Sequence, residues 1–595
     1  MAKVLATAGT YAYEIKKFLG LNEAMSGDSN LKPGEAVELR NFCITQDGSL
    51  RLRPGTKTVL TLSDGSPVRG VWHGTVRGGE VSLAACGGHV WNITGLTGKV
   101  DLGTLTDSET HFFGMNGGVY ILNGSEYLFW DGSGEMQAVA GYIPCVVTAA
   151  KPAGGGTLLE GINLLTSKRR ERFSADGTST EYHLTEAPIA SVLSVTVDGG
   201  AVTGYTVDAK NGIVKFTSAP AKGLSNVEIT YDKGEDQRSQ VTGHRYSEFY
   251  NGATDTRVFL YGNGTNVALY SGLDEDGVPR GDYFPALYEV QVGSDNTAIT
   301  GMVRHYSRLL AFKPGEAYKI EYSARTLADD TVTAGFYVRP INRELGNVAP
   351  GQMALCDNNP VSLCAGAAYL WKIYYSTATV DERSATRISD RVQTSLQSFD
   401  LKSSVVYDNR WNGELWIAYG GNALIYNYWA DCWYSYTGLP AIRAMLGIGG
   451  QLYIGTESGT ISAMSTIYHN DDGANIDAYW ESGSMNMGAS WKVKYSRELF
   501  VDMRATSNGR LTVTALSDRS GDYYKKELAY GESTFAHLNF AHFSFATSKR
   551  AKVMRARIRV PRFSLYKLVF SSNSNEATAL VTGVTILSRA PRKAR

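Results

Sequence analysis

Apolar and polar residues alternate along most of this chain in short runs, and the runs come in pairs joined by glycine. From Arg410 to Ser465 the sequence reads RWNGELWIAYGGNALIYNYWADCWYSY and then GLPAIRAMLGIGGQLYIGTESGTISAMS. β-branched and aromatic side chains suit a pleated, half-buried surface, so these runs predict strands. The glycines between them predict hairpin turns, where a positive φ is needed. The same unit recurs as EVSLAACGGHVWNIT, GVYILNGSEYLFWDG, RVFLYGNGTNVALYSG, RLLAFKPGEAYKIEYS, VSLCAGAAYLWKIYYS, ELWIAYGGNALIYNYW and QLYIGTESGTISAMS. Its turn glycines are Gly87, Gly124, Gly264, Gly315, Gly366, Gly421 and Gly459, so successive turns lie 37, 140, 51, 51, 55 and 38 residues apart.

All but one of these spacings fall near the roughly 40–50 residues of a propeller blade. A blade cannot bury both its faces alone, so neighbours must stack. The expected fold is therefore all-β: an irregular β-propeller of six to eight blades. The same hairpins stacked as a β-sandwich are the alternative arrangement. The long spacing exceeds one blade by about 100 residues, which places an inserted domain there. That segment, residues 141–240, carries its own alternating runs, SVTVDGGAVTGYTVD, GIVKFTSAP and NVEITYD, with turns at Asp198-Gly199-Gly200 and Asn211-Gly212. Gly154-Gly155-Gly156 at its entry reads as a flexible linker.

The remaining divisions follow from shifts in pattern. Residues 1–67 form an N-terminal arm and hairpin, the hairpin marked by Asp47-Gly48 between NFCIT and SLRLR. Tyr11 to Phe18 reads as a short amphipathic turn or strand. Residues 68–140 hold the first blades and 241–470 the rest. The one helix-like stretch is Val380 to Thr394. Residues 471–595 read as a C-terminal β-sandwich-like domain with a basic, solvated tail. Within it MRARIRVPRF alternates, which places Arg555, Arg557 and Arg559 on one strand face.

Length and composition agree with several cores. The chain has 595 residues and is 43% hydrophobic, with 64 Gly and 35 Tyr. Basic and acidic residues balance at 58 each, which argues against whole-molecule capture of nucleic acid but not against a local basic face. None of the six cysteines forms a C-x-x-C pair, and Cys86, Cys364 and Cys432 sit inside apolar strands. They read as buried thiols of a reducing compartment. No apolar run is long enough for a membrane span, and no signal-peptide core is read at the N-terminus.

Catalytic patterns are not found. There is no H-E-x-x-H, no G-x-x-x-x-G-K-[ST] and no G-x-S-x-G. His73, His89 and His111 lie near blade strands and read as structural. Asp274-Glu275-Asp276-Gly277 lacks the spaced ligands of a calcium loop and reads as an exposed turn. Ser174-Ala175-Asp176-Gly177-Thr178 is the nearest approach to a sialidase Asp-box and lacks its spacing and Trp. No catalytic residue, cofactor or metal is expected. The basic run Lys168, Arg169, Arg170 and Arg172 is the candidate interface.

Three stretches resemble the tail nozzle proteins of short-tailed bacteriophages, the tail tubular protein B or packaged-DNA stabilisation family. These are Asn41 with Gly48-Ser49-Leu50-Arg51-Leu52-Arg53-Pro54-Gly55, then Arg257 to Asn263 with Tyr270-Ser271 and Asp282-Tyr283-Phe284, and then Leu309-Leu310-Ala311-Phe312. The insert, through TEYHLTEAP, VTVDGG, YTVD and GIVKFTSAP, is similar to small β modules of phage structural proteins. The resemblance implies a homohexameric ring of propeller subunits around a DNA channel, below the portal and adaptor. It implies a virion protein made in the host cytoplasm that retains packaged DNA, opens at DNA ejection and anchors fibres or spikes. Its partners would be its own copies, the head–tail adaptor, tail fibre or spike proteins, and DNA passing without sequence-specific binding. It carries over no catalytic residue. The rival reading is a carbohydrate-binding or carbohydrate-cleaving propeller at the tail tip, where Tyr and Trp would stack on sugars.

Overall fold

The computed structural model describes residues 10–24, 30–252, 254, 256–326, 332–374, 382–488, 490–504, 509–519, 524–529 and 551–589. Of the described residues 54% are strand and 3% helix, so packing between sheets carries the fold. The protein is all-β and of the propeller type. Among the described residues there are six four-stranded antiparallel sheets and a seventh four-strand meander inside a larger sheet. In all seven, the sequence repeat is the central hairpin, strands two and three of the blade. The chain divides into two compact units, residues 69–351 and residues 1–68 with 352–595.

In the first unit the central strands explain why the runs are so apolar. In Gly118–Leu122 every residue is buried. Val119 and Ile121 pack with Leu83, Ala85 and Val90 of the preceding blade. Tyr120 and Leu122 pack with Val258, Leu260 and Leu269 of the next. Val258–Tyr261 repeats the device, since Phe259 and Tyr261 join Leu309, Ala311 and Ile320 one blade further on. Successive side chains of one strand thus enter two different cores, which is blade stacking written at period two. Each fully buried side chain of this size contributes about 1.5–3 kcal/mol.

The insert has its own core of Val147, Ala150, Phe173, Tyr182, Val195, Val214, Ile229 and Tyr231. A six-stranded sheet with Lys168–Phe173 near its middle and a three-stranded sheet ending on Tyr205–Asp208 enclose it. Gly154–Gly156 is not the flexible linker read from sequence. It makes a tight turn between Cys145–Ala150 and Thr157–Leu158, with Lys151 bridged to Gly154. Gly156 has φ 112°, and a Cβ there would lie 2.8 Å from the Thr148 carbonyl oxygen.

The second unit departs further from expectation. Residues 1–67 are not a separate arm. Thr10–Ile15 and Leu50–Leu52 pair with Leu580–Arg589. Glu35–Arg40 pairs with Ile476–Ser482. Gly55–Thr61 is the fourth strand of the last blade, antiparallel to Thr460–Ser465. The C-terminal sheets therefore contain N-terminal strands, and one of them runs on into the blade Val405–Tyr436. The helix-like stretch is corrected too. Val380 and the residue after it lie outside the described residues. Glu382–Arg387 is an edge strand, and one turn of 3-10 helix leads into the four-residue helix Gln393–Leu396. The turn glycines also need one amendment. Gly315 and Gly421 do not take a positive φ, and in the sixth hairpin Gly420 takes it instead, at 56°.

A polar clasp holds the N-terminal strands. Arg53 is 2% exposed. Its Nε donates to Asn41 Oδ1 at 2.8 Å, and Nη1 donates to Asp471 Oδ1 at 3.0 Å and to the Pro54 carbonyl at 2.9 Å. Its Nη2 pairs with Asp471 Oδ2. Asp471 also accepts the Thr56 amide at 2.9 Å and the Thr56 hydroxyl at 2.8 Å. Asn41, in the left-handed region at φ 58°, donates to Thr437 Oγ1 at 3.0 Å and to the Asp477 carbonyl at 2.8 Å.

Truncating one partner of a buried pair leaves a charge unpaired and costs about 3–5 kcal/mol. Arg53→Ala is expected to lower the unfolding free energy of the second unit by that order, read from the shift of its urea midpoint at unchanged m. Arg53→Lys should not rescue it, because an ammonium cannot supply the guanidinium fork. A variant as stable as the wild type would refute the clasp. The six cysteines are buried and none is in a disulfide, and burial pushes the thiols of Cys86 and Cys145 up to about 11. Thiol titration should find six groups after unfolding and slow reaction before it.

Candidate functional site

Lys168–Phe173 lies between Cys145–Ala150 and Val227–Asp232. A strand alternates its side chains, so KRRER is divided between two faces. Arg169 and Glu171 are buried. The Glu171 carboxylate accepts the Tyr231 hydroxyl at 2.8 Å and the Thr185 amide at 3.0 Å, and Arg169 pairs with Glu186. Burial raises the Glu171 carboxyl above its usual range, while these hydrogen bonds oppose the shift. On the other face Arg172 meets Glu228 at 2.7 Å and Glu275 at 2.8 Å, and Arg170 meets Glu275 at 3.4 Å. Lys168 is exposed. The four cations do not form a free basic face. Three of them are neutralised inside the same unit.

Glu275 comes from the Asp274-Glu275-Asp276-Gly277 turn, so the carboxylate cluster and the basic cluster of the sequence are partners. Asp274 accepts the Val278 amide at 2.9 Å within its own turn. Among the described residues no group of His, Cys, Asp and Glu is arranged to hold a metal. The histidines have local partners. His73 Nδ1 is 3.0 Å from Ser82 Oγ, His89 is 2.9 Å from Asp101, and His111 Nε2 is 3.0 Å from Ser247 Oγ. Burial depresses the His111 imidazole to about 4, so it is neutral at ordinary pH. Asp176, of the Asp-box-like run, accepts the amides of Thr178 and Ser179, both at 2.7 Å, and so caps its own turn.

Arg555, Arg557 and Arg559 are brought together, but not on one strand face as expected, because the strand ends at Ala556 and Arg557 and Arg559 lie in the link to Val560–Phe563. All three are exposed and alternate with the buried Ala556, Ile558 and Val560. With Arg497, Arg589, Tyr495, Glu498, Thr10 and Leu587 they line a cleft of about 280 Å³. Sequence reading missed Arg497 and Arg589, because they arrive from strands distant in the chain. A second cleft, of about 570 Å³, includes Arg51, Glu414 and the half-exposed Trp429. Both Glu414 oxygens are already taken, Oε1 by Tyr434 and Oε2 by Asn409 and Trp416.

No known protein family matches the chain, and no curated protein matches it. Solved structures match it at a distance. The computationally designed Ika8 protein is 11% identical, covers 69% of this chain and 99% of its own, and gives a TM-score of 0.31. BamB from Moraxella catarrhalis is 11% identical over 71% of this chain and 95% of its own, with a TM-score of 0.30. The β-propeller domain of Cps50 (Swd1) from Myceliophteria thermophila is 11% identical over 69% and 99%, with a TM-score of 0.25. The assignment of blades rests on the strand pairing itself.

One carboxyl is set apart by its surroundings. Burial pushes Glu248, on Tyr246–Phe249, up to about 7. In the unfolded chain it ionises near its ordinary value of 4.5, so the native state disfavours the charge that the unfolded state carries. This group's cost to stability grows as pH rises from 4.5 to 7 and is constant above that. Glu248→Gln removes the cost. Thermal unfolding from pH 4 to 8 should show the variant gaining on the wild type across that window and holding its lead beyond it. A constant difference at all pH values would refute the assignment.

Proposed function

We propose that this protein is a structural component of a phage virion, a tail nozzle or hub subunit that assembles into a ring of identical copies around the DNA path. In this reading it retains packaged DNA, docks fibres or spikes, and works by shape and contact without turnover. The observation that carries it is how the Asn41–Gly55 run, on which the family resemblance rests, is used. Its polar atoms serve internal cohesion: Asn41 and Arg53 in the clasp on Asp471, and Arg51 beside the buried Glu414. Gly55 sits where a Cβ would lie 2.2 Å from the Asn470 carbonyl oxygen. A run whose Asn41 and Arg53 tie distant strands together suits mechanical strength more than a substrate site. Internal neutralisation fits the same role, because Arg169 pairs with Glu186 inside the insert while Arg170 and Arg172 tie the insert to the Glu275 turn.

A ring subunit must present two different side surfaces to its neighbours. Negative-stain images of the purified protein are expected to show closed rings, and light scattering a mass near six times that of the 64.7 kDa chain. Antibody labelling should place the protein in the tails of virions. A monomer at high concentration that is also absent from purified virions would overturn the proposal.

A further inference from the structure

The arginine cleft of the second unit has a charge that the rest of the molecule does not prepare for. Five guanidiniums converge on it. Arg497 comes from Lys494–Arg504, Arg589 from the end of Leu580–Arg589, and Arg555 from Ala551–Ala556. Arg557 and Arg559 come from the link to Val560–Phe563. One carboxylate lines the cleft, Glu498, and it pairs with Arg555. Arg497 lies over the Tyr495 ring, 5.7 Å from its centroid. Arg497, Arg557, Arg559 and Arg589 have no ion-pair partner among the described residues. Elsewhere arginines that share a face meet carboxylates, as Arg170 and Arg172 do. Four unpaired like charges crowded together repel one another, and a bound anion relieves that repulsion.

We propose that this cleft binds the phosphodiester backbone of a nucleic acid strand. Every cation that lines it is arginine, whose planar fork matches two phosphate oxygens at once. Several forks on one surface exceed what a single phosphate can use and suit an anion repeated along a chain. The two inner strands of the cleft are closed to one kind of chain. Lys494–Arg504 is paired on both sides, by Leu580–Arg589 and by Ala551–Ala556, and Leu580–Arg589 is paired by Lys494–Arg504 and Thr10–Ile15. Along these two strands an acidic peptide finds no open backbone edge to extend, and among the described residues the open edges of this sheet include the outer ones of Thr10–Ile15 and Ala551–Ala556. A phosphodiester chain needs none, because its charge lies on its own backbone. Binding should be indifferent to sequence, since phosphate contacts position a strand without reading its bases. The proposal rests on the virion reading only for its biological setting.

The test is fluorescence anisotropy of the purified full chain with a labelled DNA single strand of about 20 nucleotides, long enough to outspan a typical single-strand binding site, across a salt series. Arg557→Ala/Arg559→Ala removes two exposed, unpaired cations. It should keep the wild-type circular dichroism, weaken binding, and reduce the slope of log K against log salt by about 1.4, at about 0.7 for each phosphate no longer neutralised. Lys210→Ala/Lys222→Ala removes the same charge from exposed positions of the insert and should change neither. Glu498→Gln, which frees Arg555, should tighten binding. Unchanged affinity and slope in the arginine double variant would overturn the proposal. So would polyglutamate of equal length displacing the DNA, which would make the occupant an acidic peptide. Ring images of the same samples keep the two readings apart: rings without DNA binding sink only this inference, and arginine-dependent binding without rings sinks only the nozzle.

Discussion

A buried guanidinium must have its counter-charge and its hydrogen bonds supplied by the protein, and Arg53 meets that demand only if two distant parts of the chain stay together. Its partners are Asn41 and Pro54 on one side and Asp471 and Thr437 on the other. Once Asp471 is fixed, Thr56 is fixed with it, and the strand Gly55–Thr61 enters the last blade in one register. A one-residue slip would turn Thr56, Thr58 and Leu60 to the wrong faces and strand the charge. The second unit has apolar cores of its own, with Trp416, Trp433, Trp480 and Phe570 fully buried, and the ion pair fixes the register in which its N-terminal strands join them.

What sequence makes legible is local. The seven hairpins can be read because strand, turn and strand are contiguous, and because a strand buried on both faces is apolar throughout, as in Gly118–Leu122. The inserted domain is visible as a break in spacing. What stays hidden is pairing at long range. Nothing within residues 1–67 says that Gly55–Thr61 finishes a blade some 400 residues later, since an edge strand looks the same whichever sheet receives it. Gly154–Gly156 misleads because three glycines have the composition of a linker, while only the structure gives the close approach of Gly156 to Thr148 that requires one of them. Arg497 and Arg589 are invisible as site residues for the same reason as the blade strand.

The two arginine-rich runs obey one rule with opposite results. In KRRER and in RARIR burial alternates from residue to residue. The first reads in sequence as a single patch, but alternation buries Arg169 beside Glu171 and leaves Arg170 and Arg172 to Glu228 and Glu275. In the second, the alternating residues Ala556 and Ile558 are apolar and turn inward, so all three arginines stay outside. A balanced total of 58 basic and 58 acidic residues conceals this difference. Charge in this molecule is informative face by face.

The completion of the last blade by Gly55–Thr61 also orders events during synthesis. At about 5–20 residues per second, the ribosome needs about 20–80 s to travel from that strand to its partner Thr460–Ser465. The unit of residues 69–351 is contiguous in the chain and can close behind the ribosome meanwhile. Through that interval the early strands Glu35–Arg40, Leu50–Leu52 and Gly55–Thr61 offer unpaired edges to any other nascent chain. Copies made on one polysome hold the same open edge and the same missing partner, so a strand from one chain can complete the blade of another. The feature that fastens the finished molecule thus leaves a route for strand exchange between copies while it is being made.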